Sequence, residues 1–367
     1  RIIFVLIAIF VALAAVLWWR IPHFGLDPVV QRQFQIYACV LVAGGALTSF
    51  WSILPDSLVK AHHDMRTTMW AGIASSLLNV VLNAFFVFVL HWGIFGIAFS
   101  TVLGRFGGLI YASKRAKEHE RARRLRSDQS APGLDPAPLR SILRIAVPSG
   151  ATYALMAVES QIVNLLLLGA GASATSLLAA WAVYERAVRF MAMPAIATSV
   201  AMLPLAARLH GAKDYVSVRR ELGIGARATM LYVGVLVLPL AWLLGPRVAA
   251  ALADAPETRA FASEAMAWLP LTVAAIAPFM LARAAWDGME RPVQGLLAAV
   301  MRSLVLQVPA VWLGLHYHGL LGVSPMLGVA IASLTATALA SAIFWSWSSA
   351  ALRRLAAAQP QTTTELA

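Results

Sequence analysis

Ten apolar runs, each about long enough to cross the ~30 Å hydrocarbon layer of a bilayer, dominate the sequence. They lie at roughly 1–19, 33–54, 67–90, 94–113, 142–168, 174–204, 224–245, 261–286, 293–315 and 323–350. Most are rich in Leu, Ala, Val and Ile and lack the ten-residue alternation of an outer-membrane strand, so helices are expected. Pro194, Pro239, Pro278 and Pro309 do not oppose this, because packed neighbours in a membrane bundle re-satisfy the freed backbone groups. With 60% hydrophobic and 13% charged residues, the chain falls outside the composition of a soluble globular domain. The fold class expected is an all-α polytopic membrane protein.

A net charge of +12 raises the question of nucleic acid, and the placement of the charge answers it. Twenty of the 29 Lys and Arg residues fall in 60–66, 114–144, 208–227, 283–291 and 353–354, which are alternate connections plus the C-terminal end. The intervening connections carry only Arg20, Arg32, Arg247 and Arg259. That alternation follows the positive-inside rule and puts the 114–140 linker and the C-terminus in the cytoplasm, with a bacterial inner membrane as the expected location. The expected partners are a lipid bilayer and a small organic molecule, not nucleic acid, with no oligomer required. Cys39 is the single cysteine and lies in an apolar run, which excludes an intramolecular disulfide. His62-His63 and His316-Tyr317-His318 sit at expected helix ends and read as interfacial, so no metal site is expected.

The long polar segment 114–140 begins as a basic helical extension, ends in a Pro/Gly/Asp stretch and reads as a linker. The organisation expected is an N-terminal lobe at 1–113, a C-terminal lobe at 141–352 and a tail at 353–367. Internal similarity joins the lobes. SLVKAHHDMRTTM at 57–69 leads through an apolar run to Gly93-Ile-Phe-Gly-Ile-Ala-Phe-Ser100, and AAWDGMERPVQG at 284–295 leads to Leu327-Gly-Val-Ala-Ile-Ala-Ser333. Both turns are expected on the cytoplasmic side, so the repeat is parallel. Six spans follow the linker and four precede it. The chain starts at Arg1, already inside an apolar run and without a signal-peptide pattern, so two earlier helices are expected to be missing.

Polar groups at membrane depth are costly and therefore informative. Gly72, Ser76, Asn79 and Asn83 share one helical face, which must meet either a neighbouring helix or a cavity. Glu159 sits far from either end of its run, with Thr152 and Met156 on nearly the same face. A carboxyl group so placed is suited to loading and releasing H⁺ or Na⁺. The alternative is permanent neutralisation by an arginine, for which the next run offers Arg186 and Arg189, beside a Glu185 able to pair with Arg189 one helical turn away. Gln161 and Asn164 share another face of the Glu159 helix, and Trp181 and Tyr184 offer aromatic surface to a lipophilic cation. HExxH, P-loop and G-x-S-x-G motifs are all lacking, so neither an enzyme nor an ATP-driven pump is expected.

Several stretches resemble the multidrug and toxic compound extrusion (MATE) family. They are Leu78-Asn79-Val-Val-Leu-Asn83-Ala-Phe-Phe-Val, Gly93-Ile-Phe-Gly-Ile-Ala-Phe-Ser-Thr, Leu143-Arg-Ile-Ala-Val-Pro148-Ser-Gly, and the segment from Pro194 through Arg208-Leu-His-Gly211-Ala-Lys-Asp. The resemblance covers nearly the whole chain as helices three to twelve of twelve. It implies two six-helix lobes around a central cavity, alternating access, and export of organic, often cationic, compounds in exchange for H⁺ or Na⁺, with no other cofactor. By the same resemblance, Asn79 and Asn83 match a fifth-helix pair used in first-lobe coupling, and Glu159 matches a seventh-helix cation-binding glutamate. Asn83 cannot titrate where other members often carry Asp. The tenth-helix acid expected near Glu159 is not found, since Asp287 lies at the cytoplasmic end. The expected coupling residues are Glu159, Asn83 and Asn79; the expected cavity residues are Ser76, Thr152, Met156, Gln161, Asn164, Trp181, Tyr184, Arg186 and Arg189. Two rivals stand beside this reading. One is a lipid-linked-saccharide flippase of the same superfamily, which would want several cavity arginines, and the other is a non-transporting membrane protein or inactive remnant.

Overall fold

The computed structural model describes residues 2–23, 28–62, 64–126 and 138–358, and every regular element among them is helical. Two compact units form, Arg1–Leu134 and Asp135–Ala367. The first contains α1 (Ile2–Arg20), α2 (Pro28–Ala61), α3 (Met65–Ala84) and α4 (Gly93–Arg126). The second contains α5 (Pro138–Leu168), α6 (Ala174–Met191), α7 (Met193–Gly211), α8 (Tyr215–Tyr232), α9 (Leu238–Leu252), α10 (Pro256–Met266), α11 (Leu269–Gly288), α12 (Pro292–Val300), α13 (Val308–Tyr317) and α14 (Pro325–Ala357).

All ten apolar runs fall on helices. Among the described residues, 8 helices are long and apolar enough to span a membrane, or 9 if the bent pair of α6 and α7 counts as one span. The run at 33–54 lies in α2, several of whose side chains are outside the described residues. The α6–α7 bend is 49°. It falls at Ala192, two residues before Pro194, which the first turn of α7 tolerates because that turn needs no backbone donor there. The basic start of the linker continues α4 as far as Arg126, and residues 127–137 lie outside the described residues, as do the last residues of the tail.

Three helices are widened by a π-helical segment: Phe85–Val89 after α3, Val233–Val237 after α8, and Met301–Gln307 between α12 and α13. Two of these segments precede a proline, Pro239 and Pro309. Proline has no N–H for the carbonyl four residues earlier and its ring crowds that carbonyl; a wider turn relieves the clash. In the Met301–Gln307 segment, the Val308 N–H accordingly reaches back five residues to the Ser303 carbonyl.

Helix starts follow local side-chain chemistry. Asp64 caps α3 by accepting from the Thr67 N–H at 3.0 Å, and Asp214 caps α8 by accepting from the Ser217 N–H at 2.9 Å. In the N-terminal unit, α4 packs on both α2 and α3. Gly104 allows the close α3 approach, since a Cβ there would lie 2.8 Å from the Asn79 Cβ. In the C-terminal unit, α11 runs through the middle, with 67% of its apolar window buried against 6% for α3. Its Phe279, Leu281 and Trp286 pack near Phe344 and Leu352 of α14 in one core cluster. A second cluster gathers Val163, Leu167, Leu177, Trp181, Val273, Val311 and Met326.

A polar cavity in the C-terminal unit

Helices α5, α6, α11 and α14, the start of α7 and the Met301–Gln307 segment enclose a cavity of about 920 Å³. From α5 come Met156, Glu159, Gln161 and Asn164, and from α6 come Trp181, Tyr184, Glu185, Arg186 and Arg189. Glu159 was expected as the coupling group and the others, apart from Glu185, as cavity residues; the fold brings them together, and Glu185 with them. Thr152 does not join the lining; it is buried and donates to the Pro148 carbonyl of its own helix at 3.0 Å.

Glu159 is buried, and the arginine that meets it is Arg302, not Arg186 or Arg189. The Arg302 guanidinium approaches the Glu159 carboxylate at 2.5 Å, and Ser303 donates its hydroxyl to the same oxygen. Arg302 also lies 5.6 Å from the Phe279 ring centroid, a cation–π distance. An unpaired charge at this depth would be strongly unfavourable, whereas a paired and hydrogen-bonded one is sustained. Glu185 pairs with Arg189 one turn along α6, as the four-residue spacing predicts.

A polar ladder deepens the cavity. Gln307 donates to the Ser333 hydroxyl at 2.5 Å and accepts from Thr337 at 3.3 Å. The Tyr184 hydroxyl meets the Thr272 hydroxyl at 2.7 Å. Trp181 and Tyr184 are almost wholly buried, at 4% and 2% exposure, so their rings serve mainly as packing surface. The Trp181 indole N–H is buried without a partner among the described residues.

Sequence reasoning did not reach Arg302, Ser303, Gln307, Thr272, Ser333 or Thr337. The available signal was an arginine in the middle of an apolar run. Its grouping with Gln307 was hidden, because five residues apart on a regular α-helix place two side chains about 140° from each other. The π-helical segment, which bonds over five residues, turns them toward one side.

The expected stripe in α3 behaves differently. Asn79 donates to Thr101 of α4 at 3.3 Å, and its neighbour Ser75 donates to the Gly104 carbonyl at 2.8 Å. Ser76 and Gly72 are exposed. The Asn83 side-chain oxygen is buried with no partner among the described residues. Asp287, at the far end of α11, pairs with Arg283 at 3.5 Å and takes no part in the cavity lining.

Elsewhere in the N-terminal unit, the Asp64 carboxylate accepts from Thr67 Oγ1 at 2.7 Å and meets His119 Nε2 at 2.8 Å. Those bonds, the Thr67 hydroxyl first, hold its pKa down at about 2. The His62 ring stacks on His119 at 5.2 Å, and His63 is outside the described residues. No group of three or more His, Cys, Asp or Glu gathers as metal ligands among the described residues.

A helical bundle with many membrane-length spans and a polar cavity walled by broken and widened helices has the build of a multi-pass membrane protein. Residues 148–313 match the family model described as MatE. A stretch of 146 residues, 39% of this chain, is 32% identical to the probable multidrug resistance protein NorM of Rhizobium meliloti, and that match covers 30% of the relative's length. Among solved structures, the chain superposes on a MATE mutant with a TM-score of 0.83 at 18% identity, over 96% of this chain and 77% of that one. A MOP superfamily transporter from Pyrococcus furiosus gives a TM-score of 0.83 at 18% identity, again over 96% and 77%. The family match lies in the C-terminal unit, and the fold is shared with solved MATE structures along nearly the whole length of the chain.

Proposed function

We propose that the protein is a secondary antiporter of the bacterial inner membrane that exports organic amphipathic compounds in exchange for H⁺ or Na⁺ by alternating access. The family expectation is that these compounds are often cationic, and the 114–140 linker and the C-terminus would be cytoplasmic. The observation that carries this reading is the Glu159 carboxylate, held by Arg302 and Ser303 at the edge of a cavity of about 920 Å³.

Glu159 is the coupling group in this reading. A proton or Na⁺ arriving at the carboxylate competes with Arg302, and loading it frees the guanidinium from its partner. Two conformations that differ in how well they keep the pair together then differ in ion affinity, which is all that coupling requires. The Met301–Gln307 segment suits this role, because π-helical turns mark places where a helix can change its hydrogen-bond pattern. Asn79 and Asn83 would contribute on the N-terminal side as polar groups that do not titrate.

The test is export from proteoliposomes under an imposed pH or Na⁺ gradient. Glu159→Gln is expected to abolish gradient-driven export while leaving the protein folded. Undiminished export by that variant removes Glu159 from the coupling role, and no gradient dependence in the unsubstituted protein removes the antiporter reading.

A further inference from the structure

The charges around the C-terminal cavity do not balance. Five charged residues line it: Arg186, Arg189 and Arg302 against Glu159 and Glu185. Both carboxylates are occupied, Glu159 by Arg302 and Ser303, and Glu185 by Arg189. Arg186 is exposed and has no acidic partner among the described residues. It stands twelve residues into α6, about 18 Å along the helix at ~1.5 Å per residue, which is beyond the midpoint of a ~30 Å hydrocarbon layer. A guanidinium at that depth does not face lipid without large cost, so it faces the cavity that it lines. A cation entering here finds no uncompensated carboxylate and little open aromatic face, because Trp181 and Tyr184 are buried. An anion finds a free guanidinium, and the amides of Gln161 and Asn164 line the same cavity.

We infer that this cavity takes an acidic amphiphile, an apolar or flat-ringed body carrying an anionic group that seats on Arg186. The inference deepens the transport reading and rests on the cavity being its ligand site. The same chemistry is offered by a soluble organic acid and by an anionic lipid headgroup.

Binding to the full 367-residue chain in phosphatidylcholine nanodiscs tests it, with empty nanodiscs subtracted. Two xanthene dyes of similar body and opposite charge, fluorescein and rhodamine 6G, are followed by anisotropy, and dihexanoyl phosphatidic acid is titrated as a competitor. Fluorescein is expected to bind at least ~10-fold more tightly than rhodamine 6G. Arg186→Gln should erase that preference, Arg186→Lys should keep most of it, and Ala182→Glu, on the same lining, should reverse it. Displacement of fluorescein by the short-chain phosphatidic acid at lower concentration than by unlabelled benzoate assigns the site to a lipid headgroup; the opposite order assigns it to a soluble acid. Either order agrees with an anion site. Equal or tighter binding of rhodamine 6G, no binding of either dye, or a preference that survives Arg186→Gln overturns the inference. Selective fluorescein binding with no passage of either dye across proteoliposomes would leave the cavity's selectivity standing and remove the antiporter reading instead.

Discussion

The two units handle polar residues at membrane depth in opposite ways. In the N-terminal unit, Ser75 and Asn79 of α3 bond to α4, and Gly104 lets the two helices meet closely. In the C-terminal unit, Glu159, Gln161 and Asn164 of α5 line a cavity of about 920 Å³ together with residues of α6. Both units carry a turn followed by an apolar helix with a π-helical segment and then a long helix. The difference lies in what the segment carries. Phe85–Val89 is wholly apolar, whereas Met301–Gln307 bears Arg302, Ser303 and Gln307. A polar side chain inside a span marks a ligand path only where the neighbours stand back from it.

That contrast is exposed to measurement. The strongest test lies on the C-terminal side, where Arg302→Met leaves the Glu159 carboxylate buried without a counter-charge, held only by the Ser303 hydroxyl. Unfolding in detergent should show a loss of about 3 kcal/mol, most of it recovered when Glu159→Gln is added. A loss that the double variant does not recover would mean that packing of Arg302, not its charge, matters. Next is Gly104→Leu, which forces side-chain volume against Asn79 and the Ser75 carbonyl. It should cost about 2 kcal/mol and part α3 from α4; a neutral result would show that the N-terminal unit has space there after all.

The capped turns give a smaller effect. Asp64→Ala removes the α3 cap and should cost about 1 kcal/mol at neutral pH. The pKa of Asp64 stands near 2, below the ordinary value of 3.8. Its contribution is therefore complete above the ordinary value and fades as pH falls toward 2. Thermal unfolding between pH 5 and pH 2 should fall more steeply for the unsubstituted protein than for Asp64→Asn, and parallel curves would contradict the assignment. The smallest change is Asn79→Ala, where loss of the Thr101 bond should cost about 0.6 kcal/mol. A severe loss of transport with so small a loss of stability would move Asn79 from helix packing to the transport path.

Much of the architecture was legible beforehand. Every apolar run became helical, and the four-residue spacing of Glu185 and Arg189 became an ion pair, whereas the bend between α6 and α7, inside the single run 174–204, was not expected. The α5 and α6 residues of the cavity were also legible, because regular α-helical spacing assigns residues to faces reliably. What escaped was the partner of Glu159. Arg302 is 143 residues away, and a π-helical segment shifts the register on which such facing is judged. Thr152 was misplaced for a simpler reason: its hydroxyl is spent on its own helix.

From the residues alone come the bilayer as solvent, the alternation of basic connections and the division at the linker. These follow from transfer free energies that act on each segment independently of its neighbours. Only the tertiary structure decided that Glu159 would meet Arg302, that Asn79 would be absorbed into helix packing, and that Arg186 would stand beside the cavity without a carboxylate. Each depends on which helices become adjacent and how closely their backbones approach. That is set by the packing of side chains distant in sequence and not by the hydropathy of any one stretch.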